Sequence, residues 1–476
     1  MSEVKSLFKH SINYLFAHVA NKALAFISIP VYTYLLTVEE YGIFNVFIST
    51  IGIVSILFTL NTEIAISRYY YDANDQYDFK EFVGTSVILS SICFILTSTF
   101  FIIYSKYFSS VFNFEKLLTL LMIPVSLYTI INSIFQQIYN PLKESKKIAV
   151  ISSIQTYSAF ILSTIFILTL DNKKYYGQVW GTLLAMFILG GYLIKQIKPY
   201  IKFNIKKEHI KYILNYSIPY IPYSLSSLIV SQFGKIFIGQ SEGYQSAGLY
   251  SFSSNIAALM IVIISVFHSA WNPYYFTYMN KKEYQNINRD YDIIWRITLI
   301  FGVLLALFGN ELGYILGKKE YHSDLYLIPI LIIGYLFYQW SYVYLRNTGY
   351  SRKTIWNAII VISSGIINIV LSTILICYLK ELGIALAFSL SYLFMLVIAW
   401  MINRFFLKVY TPKCSTFIRP LIIVLPILLS PFIINIICNN IYYSISIKLI
   451  ESLLIIYIIT KPYKKNLLLF FQSRKK

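Results

Sequence analysis

The sequence predicts an all-α polytopic membrane protein with about fourteen transmembrane helices. Its 476 residues are 57% hydrophobic and only 13% charged, about half the charged fraction of a soluble protein, and the mean hydropathy is +0.63. Apolar stretches of about 20 residues, long enough to cross a bilayer as helices, recur along the whole chain. The alternation typical of a membrane β-barrel is absent. The chain is therefore predicted to form one helical membrane domain.

Fourteen apolar stretches define the predicted helices. The loops between them are too short to hold a folded domain outside the membrane. In order, the stretches are 11–36, 42–62, 82–104, 116–139, 148–170, 177–197, 213–240, 247–274, 293–316, 325–345, 355–378, 383–403, 417–438 and 442–460.

Basic residues are distributed unevenly between the loops. The chain has 40 Lys and Arg against 21 Asp and Glu, a formal charge of +19. With the N terminus placed in the cytoplasm, thirty of the 40 fall on the cytoplasmic side and eight on the opposite side. Because cytoplasmic loops carry such an excess, both termini are predicted to be cytoplasmic. The positive charge is assigned to a membrane surface, and no nucleic-acid partner is expected.

An internal repeat is indicated by landmarks that recur at an offset of 206 residues. Residues 41–45 and 247–251 each open a helix and contain a glycine. The basic pairs 146–147 and 352–353 each precede a helix, and Gly177 and Gly383 each start one. Six helices per half is an even number, so both halves enter from the same side and the repeat is parallel.

The repeat predicts a multidrug-exporter-like arrangement of two six-helix bundles. Residues 1–206 and 207–412 are the two halves, and residues 413–476 add two further transmembrane helices and a basic tail. In transporters built from such repeats the substrate binds between the halves. The basic stretch 198–211 joins the halves and is predicted to lie along the cytoplasmic surface.

Polar residues concentrate in the first, second, seventh and eighth predicted helices. The second helix illustrates the pattern, with polar or small residues at helical spacing: Asn45, Ser49, Gly52, Thr59 and Glu63. A helix that faces a wet cavity needs such a stripe. Close packing between helices is the alternative interpretation, since Ser and Gly allow helices to approach each other.

Four basic side chains are predicted to contact the substrate. Lys22 lies near the middle of the first helix, where a charge costs about 3 kcal/mol unless it is hydrated or paired, and His18 lies one turn away on the same face. Lys235 lies in the outer third of the seventh helix and can also extend to the interface. Arg68 follows the second helix near the cytoplasmic side, where it serves either the substrate or lipid headgroups.

Acidic residues are scarce in the predicted helices. Those present are Glu63 and Glu311 near helix ends and Glu451 in the last helix, while Arg296 and Arg346 are interpreted as interfacial anchors. A cavity with cations and no central carboxylate favours an anionic substrate. It disfavours an antiporter of organic cations, which needs a buried acid to exchange for protons.

Aromatic residues make up 18% of the chain, and most fit interfacial belts. Two tyrosine clusters have a spacing that allows stacking on sugar rings, although structural packing is the preferred interpretation: Tyr216, Tyr220 and Tyr223, and Tyr274, Tyr275 and Tyr278. The cysteines show no metal-ligand spacing, and no phosphate-binding loop, zinc motif or nucleophile elbow occurs. No metal, no cofactor and no enzyme activity is expected.

Short motifs in this chain resemble those of bacterial O-antigen and polysaccharide flippases. They are the runs 7–9, 29–36, 39–44, 68–70, 247–251 and 382–385 and the region of Asn368. These flippases belong to the multidrug, oligosaccharidyl-lipid and polysaccharide exporter superfamily, and the similarity extends over about the first 410 residues. One difference is Gly234-Lys235, where members often carry an acid followed by a base.

The resemblance implies a substrate and partners. The chain would move an undecaprenyl-pyrophosphate-linked oligosaccharide across the bacterial cytoplasmic membrane, beside a polysaccharide polymerase and chain-length proteins. The cations in the helices agree with an anionic diphosphate. A multidrug or cation antiporter is an alternative, which the charge sign disfavours. A lipid II flippase differs mainly in its sugar, and a membrane polysaccharide polymerase usually carries a large external loop that this chain lacks.

Overall fold

The computed structural model describes residue 24 and residues 26–351, 353–437 and 441–461. That part of the chain is helical without a strand, which confirms the all-α prediction. The helices are α1 (Phe26–Leu35), α2 (Val38–Thr59), α3 (Ala65–Tyr69), α4 (Gln76–Ile103), α5 (Ser105–Phe112), α6 (Lys116–Tyr139), α7 (Ser145–Thr169), α8 (Tyr175–Ile197), α9 (Lys207–Ser241), α10 (Tyr244–Ala257), α11 (Leu259–Lys281), α12 (Tyr284–Leu307), α13 (Gly309–Leu316), α14 (Leu327–Tyr350), α15 (Ile355–Met401), α16 (Cys414–Ile437) and α17 (Ile441–Thr460).

The described residues form a multi-pass membrane protein. Ten helical segments are long and apolar enough to cross a membrane, or eleven if α12 and α13, which meet at an angle of 57°, form one span. The segment Ile355–Leu407 covers two of the predicted stretches, and only α1 represents the first stretch. The count of fourteen therefore stays a prediction.

Helix ends follow from local sequence. Thr37 caps α2: its hydroxyl accepts a hydrogen bond from the amide of Glu40 at 3.2 Å, and the Glu40 carboxylate accepts one from the Thr37 amide at 3.1 Å. In α15, Lys380 has a φ of 47° and interrupts the helix. A Cβ on Gly383 would lie 2.3 Å from the carbonyl oxygen of Leu375. The chain therefore turns back tightly between the two predicted stretches within α15.

Two compact units divide the described residues. The first contains the residues up to Ser251 together with Val361–Ile384. In this unit α9 packs on α2, where the Ser49 hydroxyl donates to Gln232 at 3.0 Å and the Asn61 amide donates to Ser224 at 3.1 Å. Part of the polar stripe of α2 therefore serves helix packing, as the alternative interpretation holds.

The second unit contains Phe252–Ile360 and the described residues from Ala385 onward. Its core includes α16, because Phe417 stacks on Trp340 at 5.2 Å between ring centroids and its carbonyl accepts a hydrogen bond from Trp295 at 3.0 Å. On α17, the buried Lys448 pairs with Glu311 at 2.6 Å. The two C-terminal helices therefore pack into this core. The division of the chain at residues 206 and 412 stays a prediction.

Candidate functional site

The starts of α2 and α10 meet backbone to backbone within the first unit. A Cβ on Gly42 would lie 1.9 Å from the carbonyl oxygen of Tyr244, and a Cβ on Gly248 would lie 2.1 Å from that of Val38. Only glycine allows this approach. We call these four residues the glycine seam. Gly42 and Gly248 are 206 residues apart, so the predicted repeat would make them equivalent positions.

Hydrogen bonds surround the glycine seam. The hydroxyl of Tyr244 donates to the carbonyl oxygens of Asn113 at 2.7 Å and Phe112 at 3.0 Å. The Gln240 amide donates to the carbonyl oxygen of Val111 at 2.8 Å. These bonds connect the seam to the end of α5. On the predicted orientation, the seam lies on the outer side of the membrane.

A cluster of charged side chains connects α4 with the start of α9. We call Asp78, Glu81, Lys206 and His209 the carboxylate corner. Asp78 accepts a hydrogen bond from Tyr69 at 2.9 Å and lies 3.1 Å from His209 Nε2 and 3.6 Å from Lys206 Nζ. Lys206 Nζ also lies 2.6 Å from Glu81 Oε2, and this hydrogen bond raises the pKa of Lys206. On the predicted orientation, the corner is cytoplasmic.

Arg68 lies beside this corner and is exposed. Its Nη2 is 3.3 Å from Asp72 Oδ1, and 56% of its side chain is accessible. Asp72 also accepts a hydrogen bond from Tyr212 at 2.6 Å. Because exposed ion pairs contribute little stability, the Asp72 pair does not prevent Arg68 from meeting another anion. Its contact with a substrate stays a prediction.

The other predicted site residues are placed only in part. Lys235 lies half-buried on α9. Beside it, a Cβ on Gly234 would lie 2.6 Å from Ile384 Cγ2 and 3.3 Å from the Tyr250 hydroxyl. Lys22 and His18 fall outside the described residues. A shared cavity for Lys22, Lys235, Arg68 and His18 therefore stays a prediction.

Arg346 in the second unit differs from its interpretation as an interfacial anchor. Its side chain is only 7% exposed, and its Nη1 donates to the Tyr291 hydroxyl at 3.0 Å. The guanidinium also lies 5.3 Å from the ring centroid of Tyr342 and 5.6 Å from that of Tyr275. Its Nε and Nη2 are buried without a hydrogen bond to any described residue. The anchor interpretation is wrong, because tyrosine rings surround the guanidinium.

An aromatic cavity of about 290 Å³ lies near this arginine in the same unit. We define it by its lining: Phe267, Trp271, Tyr274, Tyr278, Asp290, Ile293 and Ile294. Trp271 packs edge-on against Tyr291, with ring centroids 5.6 Å apart, and Tyr291 contacts Arg346. Tyr275 is instead buried and bonded to Asn347. Packing therefore explains Tyr275, whereas Tyr274 and Tyr278 form a cavity wall suited to stacking on a ring.

The sequence motifs identified neither the burial of Arg346 nor the backbone contact of the glycine seam. In the sequence, Arg346 is an arginine at the end of a predicted helix. An interfacial anchor has the same pattern, so the two cannot be distinguished by sequence. For the seam, the signal was the recurrence of Gly42 at Gly248. A search of the described residues finds no group of three or more His, Cys, Asp or Glu side chains arranged to hold a metal.

The fold and these sites define a helical membrane protein with buried cations and a glycine contact at repeated positions. The chain belongs to the polysaccharide biosynthesis protein family, which matches residues 7–279. This confirms the family resemblance found in the sequence. A relative from Haemophilus influenzae, described as Lsg locus putative protein 1, is 23% identical over 393 residues, covering 75% of this chain and 90% of the relative.

Two solved structures show the same fold. The lipid II flippase MurJ in an inward closed conformation has a TM-score of 0.69 at 16% identity, covering 98% of this chain and 99% of that chain. A multidrug resistance MATE family transporter of the MOP superfamily in an inward-facing conformation has a TM-score of 0.61 at 14% identity, covering 84% of this chain and 93% of that chain. The predicted multidrug-exporter-like fold is thereby confirmed.

Proposed function

We propose that the protein is a flippase that moves an undecaprenyl-pyrophosphate-linked oligosaccharide across the bacterial cytoplasmic membrane. Membership of the polysaccharide biosynthesis protein family over residues 7–279 carries the proposal. The fold shared with a lipid II flippase supports it, because lipid II is also a sugar on a lipid carrier. Residues 1–206 and 207–412 would expose the substrate site to each side in turn.

The distribution of charge supports an anionic substrate. Glu311 is neutralised by Lys448 at 2.6 Å, and Glu451 accepts a hydrogen bond from Ser430 at 2.7 Å. Arg346 makes no ion pair with a described acid. The predicted site cations Lys22 and Lys235 would supply positive charge for a diphosphate. The pairing of Glu311 argues against the multidrug or cation antiporter, whereas Glu63 is a buried acid of the kind such an antiporter needs, and it accepts a hydrogen bond from Ser133 at 3.3 Å.

The aromatic cavity supports a saccharide as part of the substrate. Trp271, Tyr274 and Tyr278 offer flat apolar faces beside the Asp290 carboxylate, and sugars combine apolar ring faces with hydroxyl groups. A lipid II flippase would use the same chemistry, so only the identity of the transported sugar distinguishes it from a polysaccharide flippase. The family favours a polysaccharide repeat unit, such as O-antigen or capsule. A polymerase and chain-length proteins would act on the exported unit.

Lys22 provides the main experimental test. In a strain that lacks this protein, Lys22→Ala should abolish surface polysaccharide at normal protein abundance, because the diphosphate loses a cation of the predicted first helix. Lys22→Arg should retain part of the activity, since it keeps the charge but changes the geometry. Lys22→Glu should fail by repelling phosphate. Lys106→Ala, which removes an exposed lysine, is the matched control and should leave transport unchanged.

A second readout distinguishes a flippase from a polymerase. Loss of the protein should trap single lipid-linked repeat units on the cytoplasmic side, whereas loss of a polymerase would leave single units at the cell surface. Reporter fusions at Lys206 and Lys476 should report the cytoplasm, and one at Lys173 should not. Full complementation by Lys22→Ala, or surface-exposed single units in the deletion strain, would contradict the proposal.

A further inference from the structure

A groove between α7 and α8 in the first unit has the form of a lipid-binding site. Its volume is about 680 Å³. Apolar side chains from both helices form its wall, and three lysines with one glutamate form its mouth: Val150, Ile151, Ile154, Ile188, Leu189 and Tyr192, and Lys143, Lys146, Lys147 and Glu144. We call it the α7–α8 groove.

Glycine positions bring α7 and α8 into contact at the end opposite the groove. At the far end, a Cβ on Gly181 would lie 2.2 Å from the Ser163 amide nitrogen, and one on Gly177 would lie 2.6 Å from that of Ile167. The helices are therefore in backbone contact there. At the other end, side chains of both helices line the α7–α8 groove.

The wall of the groove is exposed, although it is apolar. Ile188 is 61% exposed, Ile154 49% and Val150 47%. In a membrane protein, such side chains face the acyl chains of the bilayer. An acyl chain that enters the groove leaves the apolar bilayer for an apolar wall, so it gains little binding energy. The preference for one lipid over another therefore depends on the charged mouth.

The mouth carries an excess of positive charge. Lys147 is held in place, because its Nζ donates to Gln196 Oε1 at 2.7 Å and lies 4.1 Å above the centre of the Tyr139 ring. Glu144 lies 3.9 Å from the same ammonium group, and Lys143 and Lys146 are exposed. Three lysines against one glutamate leave a net charge of +2. The start of α7 adds the positive end of a helix dipole.

We propose that the α7–α8 groove binds an anionic phospholipid of the cytoplasmic leaflet. The phosphate group would lie among Lys143, Lys146 and Lys147, and one acyl chain would lie along the apolar wall. The lining contains no residue of α2, α9 or α10, the helices that form the glycine seam and carry the polar stripes. The occupant is therefore a bound membrane lipid rather than the transported lipid carrier, and this site does not depend on the proposed transport function.

Native mass spectrometry of the purified full-length protein tests this site. Wild-type protein should bind phosphatidylglycerol at least about tenfold more tightly than phosphatidylcholine, because each lysine near a membrane surface contributes about 1 kcal/mol to anionic-lipid binding. The triple variant Lys143→Gln, Lys146→Gln, Lys147→Gln should lose that preference. The triple variant Lys207→Gln, Lys211→Gln, Lys281→Gln removes the same charge from exposed positions elsewhere and should keep it.

A groove-filling variant separates the site from a general charge effect. Val150→Phe with Ile188→Phe keeps every lysine but narrows the groove, so binding of phosphatidylglycerol should fall while the net charge is unchanged. Equal binding of the two phospholipids, or equal losses in both lysine triples, would overturn the proposal. Displacement of phosphatidylglycerol from the groove by undecaprenyl diphosphate at equimolar concentration would overturn the phospholipid assignment in favour of the lipid carrier.

Discussion

The glycine seam and the carboxylate corner hold helices of the same unit together by different kinds of contact. At the seam, Gly42 and Gly248 bring two backbones together without an intervening side chain. At the corner, Asp78, Glu81 and Lys206 interact through side chains, and 42% of the Lys206 side chain is exposed. A backbone contact is lost as a whole when helices separate, whereas charge pairs weaken step by step and respond to salt.

The proposed transport function connects this difference with the effects of substitution. If transport opens a path at the seam, α2 and α10 must move apart as rigid bodies, because packed helices are not continuously deformable. At the corner, Lys206 Nζ lies 3.6 Å from Asp78 and 2.6 Å from Glu81, so one acid remains as its partner when the other is lost. We therefore expect the seam to respond sharply to substitution and the corner gradually.

The largest effect is expected at the seam. Gly42→Ala adds one methyl group 1.9 Å from a carbonyl oxygen, so the two helices must separate and transport should be lost. Gly248→Ala should act similarly, since its Cβ would lie 2.1 Å from the Val38 carbonyl oxygen. Surface polysaccharide in a deletion strain is the measurement, with protein abundance determined in parallel.

Gly52→Ala is the matched control on the same helix. A Cβ there would meet only Leu228 Cδ1 at 3.8 Å, an ordinary contact, and alanine favours the helix by about 1 kcal/mol over glycine. Transport should be unchanged. Normal activity of both Gly42→Ala and Gly248→Ala would show that transport does not require the close backbone contact at the seam.

An intermediate effect is expected at the carboxylate corner. Glu81→Gln removes one charge from the pair with Lys206, and Lys206 can still reach Asp78. Transport should fall a few-fold rather than disappear, and the deficit should shrink at high salt, where the wild-type pair is screened. Transport into proteoliposomes over a series of salt concentrations measures this. Lys206→Arg keeps the charge and is the control. Complete inactivity of Glu81→Gln at normal abundance would contradict the expectation that the corner responds gradually.

The smallest effect is expected from Tyr244→Phe. It removes a hydroxyl that donates to two carbonyl oxygens of the α5 end, and one hydrogen bond is worth about 1 kcal/mol. The backbone contact of the seam remains, so surface polysaccharide should be nearly normal while the melting temperature of the purified protein falls slightly. A loss of transport as large as that of Gly42→Ala would show that side-chain hydrogen bonding, rather than backbone contact, holds the seam together.

Sequence reasoning located some residues of the candidate sites but not their contacts. The offset of 206 residues singled out Gly42 and Gly248, because equivalent helix starts share local sequence. The spacing of tyrosines marked Tyr274, Tyr275 and Tyr278 for stacking on sugars, with packing as the preferred interpretation, and the structure places Tyr274 and Tyr278 on a cavity wall. Arg346 was misinterpreted, because an arginine at the end of an apolar stretch has the same local pattern whether it faces lipid or a neighbouring helix.

The helical membrane fold and the excess of basic residues in alternate loops are predictable from the sequence alone. Both are local properties, since about 20 apolar residues cross a bilayer wherever they occur in the chain. Only the tertiary structure decided that Gly42 touches α10, that tyrosine rings surround Arg346 and that Lys147 of α7 bonds to Gln196 of α8 beside a groove. These contacts depend on which helices become neighbours, and that choice follows from the summed packing of many residues far apart in the chain, which no local pattern records.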